Sequence, residues 1–94
     1  MTLTLTANAK AKKEIPAVIH TDGTSRIQVV DATSNPRYYR LLKAFEKLTG
    51  IGAVLNTSFN IKGEPIVCTP SDAIRTFYAT GLDILVLGNC VLKK

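Results

Sequence analysis

The strongest chemical signal in this 94-residue chain is Asn56-Thr57-Ser58-Phe59-Asn60-Ile61-Lys62-Gly63-Glu64-Pro65. Asn56, Ser58 and Asn60 carry short hydrogen-bonding groups, Gly63 leaves the backbone open, and Lys62 adds a positive charge. Such a loop can cradle phosphate oxygens with backbone N–H groups and small side chains. The same residue types also stabilise a loop through their own Asx and Ser/Thr turns, so composition alone supports both readings. Neither the GxxxxGK[ST] nor the GxGxxG phosphate pattern is present.

A second polar cluster, His20, Asp22 and Arg26, brackets the turn sequence Thr21-Asp22-Gly23-Thr24. On a hairpin these side chains can converge on an anion, with Arg26 as a bidentate clamp. The alternative for His20 is a partly buried, hydrogen-bonded side chain beside a turn. A triad with Ser58 finds no support, because nothing resembles a nucleophile elbow. Cys68 and Cys90 lack CxxC neighbours and His20 is the single histidine, so a closed zinc site lacks ligands. They are expected to be free, mostly buried thiols in a reducing cytoplasm. Arg37, Tyr38, Tyr39 and Arg40 interleave cations and aromatics as nucleic-acid binders do. Tyr38, however, falls on an apolar helical stripe, which points to core packing.

The elements that must position these groups follow from periodicity. Residues 1–14 read as a peripheral segment, with alternation over 2–6 like an edge strand or a frayed end. Residues 15–19 and 26–30 suggest a hairpin over 16–31. Asn35-Pro36 starts a helix that Gly50 ends, and Tyr38, Leu41, Leu42, Phe45 and Leu48 predict one buried stripe. Residues 53–55 read as a strand buried on both faces. Thr69-Pro70-Ser71-Asp72 starts a second helix that Gly81 ends. Residues 83–87 and 90–92 read as strands. The order predicts an α/β fold, a mixed sheet covered by two main helices, with the 56–65 loop at the carboxyl end of a central strand.

Twelve Lys and Arg against seven Asp and Glu give a net charge of +5. That favours an anionic partner: phosphate, nucleotide, nucleic acid or an acidic membrane surface. The length excludes a two-lobed enzyme within this chain, and no window is long and apolar enough for a membrane span. The opening MTLTLTANAKAKK places its lysines after the apolar part, unlike a signal peptide.

In order, IPAVIHTDGTSRIQVV, NPRYYRLLKAFEKLTG, LNTSFNIKGEPIVCTPSDA and TGLDILVLG closely resemble the C-terminal region of NodU/CmcH-type O-carbamoyltransferases. The resemblance spans about residues 16–88 and implies a carbamoyltransferase C-terminal-like domain over 15–94. Family members are much longer, with an N-terminal actin-like ATPase-fold domain that carries a metal and a C-terminal YrdC-like domain. The resemblance implies a partial YrdC-like fold here. The YrdC-like part joins carbamoyl phosphate and ATP into carbamoyl-adenylate, and the N-terminal domain passes the carbamoyl group to a hydroxyl acceptor. ATP and Mg are therefore the expected cofactors.

Residues 57–65 also resemble the TSxNxSGEP stretch at the nucleotide and phosphate site of YrdC and HypF proteins, with Lys62 replacing the usual Ser. Carried over, Ser58 and Asn60 bind phosphate or nucleotide beside Asn56 and Lys62. Arg26 clamps the anionic phosphate, with His20 and Asp22 nearby. No carboxylate set for a metal is evident. The expectation is a cytoplasmic fragment, inactive alone, that serves carbamoyl transfer with a separate N-terminal polypeptide or as a homo-oligomer. The alternative is a non-catalytic interaction module, or a basic YrdC-like domain binding nucleotide or RNA; nucleic acid is the less favoured partner.

Overall fold

The computed structural model describes residues 3–94, and its helices begin where capping chemistry starts them. In the first unit, which ends at Leu55, β1 (Thr4–Thr6) leads to Asn8, whose Oδ1 accepts the Ala11 N–H at 2.8 Å and starts α1 (Ala9–Glu14). A 3₁₀ turn at Pro16–Val18 follows, and then β2 (Thr24–Arg26) pairs antiparallel with β1, Thr4 opposite Arg26. The edge strand expected at 2–6 is thus present over Thr4–Thr6; Thr2 lies outside the described residues.

The hairpin expected over 16–31 does not form. Pro16 fixes its own φ and offers no N–H, which suits a 3₁₀ turn better than a ladder. The partner of β2 is β1 instead, and residues 27–30 run on outside the ladder. Ser25 is buried, and its hydroxyl donates to the Val18 carbonyl at 2.7 Å, which ties β2 to the 3₁₀ turn.

Asn35 Oδ1 accepts the Tyr38 N–H at 3.3 Å and opens α2 (Pro36–Thr49). Gly50 closes it in the left-handed region at φ 82°, its N–H donating to the Glu46 carbonyl at 2.7 Å. That conformation is cheap for glycine and strained for other residues. The apolar residues recur at helical spacing as expected, but the stripe is not buried. No residue of α2 is buried, and Leu41 and Leu48 are 58% and 86% exposed. Periodicity defines a face; burial needs an opposing layer, and among the described residues of the first unit none covers this one. Residues 53–55 likewise join no ladder and are exposed, so the doubly buried strand expected there is absent.

The second unit spans Asn56–Lys94. Thr69 and Asp72 form a reciprocal capping box at the start of α3 (Pro70–Ala79): Asp72 N–H donates to Thr69 Oγ1 at 3.1 Å, and Thr69 N–H donates to Asp72 Oδ2 at 3.2 Å. At its end the Thr80 hydroxyl donates back to the Thr76 carbonyl at 2.8 Å. β3 (Ile84–Leu87) and β4 (Cys90–Lys93) form an antiparallel ribbon with Leu85 opposite Leu92 and Val86 opposite Val91. The expected single mixed sheet is therefore two separate two-stranded antiparallel ribbons, one in each unit, while the α/β mixture with two main helices holds.

A two-stranded ribbon is marginal by itself and needs a helix to pack on. Here Ala73 and Phe77, one turn apart on α3, pack on Leu85 to form the core, with Phe59, Val67, Leu87 and Leu92 around them. Phe77 is fully buried. Its ring meets Tyr78 edge-on at 5.1 Å and carries the Lys94 ammonium 4.9 Å from its centroid, while Lys94 Nζ donates to the Thr80 carbonyl. Cys68 and Cys90 are free but exposed, not buried as expected. Cys68 precedes the α3 cap and Cys90 begins β4 at the ribbon's turn, both outside the small core.

Two outcomes follow from this packing. Phe77→Ala should destabilise the second unit by about 3–5 kcal/mol, seen as a lowered Tm by circular dichroism. The Thr69 hydroxyl, and then its backbone N–H, hold the Asp72 carboxyl below the ordinary carboxylate range. The folded value lies under the unfolded one, so this contribution is present above about pH 4 and is lost as pH falls through the folded value. Acid titration of Tm should show that loss, and Thr69→Ala, costing about 1 kcal/mol at neutral pH, should shrink it.

Candidate functional site

The residues singled out from the sequence fall into two groups, one in each unit. In the first unit the turn at residues 20–24 is closed by its own backbone: His20 N–H donates to the Thr24 carbonyl at 2.7 Å and Gly23 N–H to the His20 carbonyl at 2.9 Å. Asp22 Oδ1 accepts from the Thr24 N–H at 2.9 Å and the Thr24 hydroxyl at 2.6 Å. Those bonds, the hydroxyl's first, hold the Asp22 carboxyl below its ordinary range, and His20 adds a smaller push in the same direction. Asp22 thus shapes the turn. His20 and Arg26 are both exposed, His20 at the turn and Arg26 at the end of β2, so the alternative of a partly buried His20 does not hold. Arg26 makes no ion pair among the described residues.

In the second unit the polar loop is a closed turn. Val67 N–H donates to the Phe59 carbonyl at 2.9 Å and Glu64 N–H to the Ile61 carbonyl at 2.9 Å. Gly63, at φ 88°, takes the third position of the 61–64 turn, where a positive φ calls for glycine. The half-buried Asn60 braces this turn from inside: its Nδ2 donates to the carbonyls of Ile61 at 3.1 Å and Glu64 at 3.2 Å. Ser58 and Lys62 are exposed, and Asn56 is exposed and partnered. Lys62 occupies the second position of the turn, so the brace and Gly63 decide where its ammonium is presented.

One cation beside this loop escaped the sequence reading. Arg75, on α3, lies 3.6 Å from Asp72 and 4.0 Å from Glu64, linking the loop's acid to the helix. It is exposed, so the ion pairs contribute little to stability. The signal available was its position three residues after the capping acid, on the helix that the loop feeds.

Among the described residues no three His, Cys, Asp or Glu side chains gather as a metal site. No helix among them is long and apolar enough to cross a membrane. The arrangement offers exposed donors and positive charge by two short, internally braced turns: Arg26 just after one, Lys62 on the other and Ser58 just ahead of it. That chemistry suits an oxyanion.

Comparison with known proteins agrees with the motifs. The family model for the carbamoyltransferase C-terminus matches residues 1–94. An uncharacterised protein of Synechocystis is 55% identical over 83 residues, 88% of this chain but 14% of the relative. The nodulation protein NolO of Bradyrhizobium diazoefficiens is 49% identical over 78 residues, 83% of this chain and 14% of that protein. A 3'-hydroxymethylcephem-O-carbamoyltransferase of Streptomyces clavuligerus is 37% identical over 80 residues, 85% of this chain and 15% of the enzyme. The chain thus spans about a seventh of the length of these relatives.

The brace in the polar loop can be measured directly. Asn60→Ala removes both side-chain bonds and should cost about 1–2 kcal/mol. Gly63→Ala, strained at its positive φ, should cost about 1 kcal/mol. Amide hydrogen exchange at Glu64 and Val67 should quicken in both variants.

Proposed function

The chain belongs to the carbamoyltransferase C-terminus family, and from that membership we propose that it supplies anion-binding residues for carbamoyl phosphate and ATP to a larger carbamoyl-transferring assembly. The observation that carries the reading is the family match over residues 1–94, which includes both polar turns. The name of the Streptomyces relative supports transfer to the oxygen of a hydroxymethyl group.

In this reading Arg26 presents a planar pair of N–H donors to a phosphate or carboxylate edge, as a lysine would not. Lys62 supplies a point charge, and Ser58 with the loop backbone supplies short neutral donors. Asn60 holds the loop in shape, and Asp22 holds its turn open to solvent beside His20. Fixed donors of this kind neutralise charge that develops on the phosphate oxygens as the carbamoyl-adenylate forms, with little reorganisation. The described residues do not fit a protein-held metal, so no step here depends on one. A magnesium ion arriving with nucleotide takes ligands from phosphates and water. The remainder of the family-length polypeptide completes the catalytic centre, and this chain by itself is inactive.

Isothermal titration of carbamoyl phosphate, ATP and a non-hydrolysable ATP analogue tests the reading. Each is titrated into the chain alone and into its mixture with a relative truncated ahead of the shared segment. Binding of at least one of the three is expected, weakened about ten- to hundredfold by Arg26→Ala or Lys62→Ala and unchanged by Lys47→Ala, in the exposed last turn of α2. Absence of heat with every ligand, in both settings, overturns the binding role.

A further inference from the structure

We propose that the solvent face of the β3–β4 ribbon, centred on the Val86–Val91 pair, is a docking surface for the remainder of a family-length carbamoyltransferase polypeptide. The inference deepens the assembly reading above and rests on it. Side chains alternate across a strand, so the register fixes two faces. Leu85, Leu87 and Leu92 face α3 and the core. Ile84, Val86 and Val91 occupy the other face and are 52%, 67% and 61% exposed.

An antiparallel ribbon with one solvated face alternates apolar and polar residues. β3 reads Ile-Leu-Val-Leu and does not alternate. Strands apolar on both faces belong between two layers, and α3 provides only one. Single exposed apolar residues are ordinary on any surface. Here Val86 and Val91 stand directly opposite each other in the ladder, with Ile84 two residues along, so they make one continuous patch.

The occupant follows from length and charge. The Synechocystis relative matches 88% of this chain at 55% identity, yet the match is 14% of that relative, leaving most of a family-length polypeptide to provide the missing layer. A second copy is the less suitable occupant. Lys93 lies opposite Ile84 on the same face, and each copy brings a net charge of +5, so like charges would meet across the contact.

The test mixes this chain with a family-length relative truncated ahead of the shared segment and measures binding by titration calorimetry. The unaltered chain should bind. Val86→Thr combined with Val91→Thr keeps the β-branched shape on an exposed face and should weaken binding at least tenfold while leaving the circular dichroism spectrum and Tm nearly unchanged. If that pair lowers Tm, Val86→Lys with Val91→Glu replaces it, because opposite charges facing each other support the ladder. Equal binding by the unaltered and substituted chains overturns the surface and leaves the assembly reading standing. No binding by the unaltered chain overturns the assembly reading and the surface with it. A homodimer of the unaltered chain that the substitutions dissociate, seen by light scattering, makes a second copy the occupant and overturns the proposal.

Discussion

Phe77 is the contact on which the second unit depends. It sits fully buried where α3 meets the β3–β4 ribbon, and the described core is little more than this ring with Ala73 and Leu85. So few apolar side chains leave little reserve, because small chains bury a modest share of their surface. Neighbouring features guard the same ring. The capping box fixes where α3 begins, the Thr80 hydroxyl satisfies carbonyls at its end, and Lys94 covers the aromatic face. Phe59 and Val67, at the two ends of the braced loop, pack against this core as well. The polar loop is therefore held at its base by apolar packing and at its tip by Asn60.

The parts of the fold legible in the sequence are those set by neighbours along the chain. Asn35-Pro36 and Thr69-Pro70-Ser71-Asp72 announce helices because a cap is a contact over three residues. Gly50 ends α2 for an equally local reason. Pairing and burial were less legible, since they depend on distant partners. Residues 15–19 are β-branched and apolar, yet Pro16 turns them and β1 takes the place beside β2. Residues 53–55 and the α2 stripe have the pattern of buried elements without a layer to bury them. Both cysteines lie at the surface, one ahead of the α3 cap and one at the ribbon turn.

The candidate site divides along similar lines. A polar loop over 56–65 was legible from its Asn, Ser and Gly residues, and so was the Asp22 turn, while the tight turn at 61–64 was not. The division of labour was not: Asn60 and Asp22 look like ligands by composition, while their hydrogen bonds brace the turns that present Lys62, His20 and Arg26. Arg75 was missed because its relation to Glu64 crosses from helix to loop. Composition names the donors; geometry decides which of them already have partners.

The exposed thiols have a practical side. Both cysteines of the chain, Cys68 and Cys90, lie in the second unit, and neither is paired. A maleimide dye or spin label attached to the natural protein therefore reports on residues 56–94 alone, with the first unit spectroscopically silent. Cys90 begins β4 beside the ribbon turn, and Cys68 stands just ahead of the α3 cap. One labelling reaction on the native sequence thus puts one probe on the helix side and one on the ribbon side of the contact around Phe77, and the motion of that contact can be followed without introducing a single substitution.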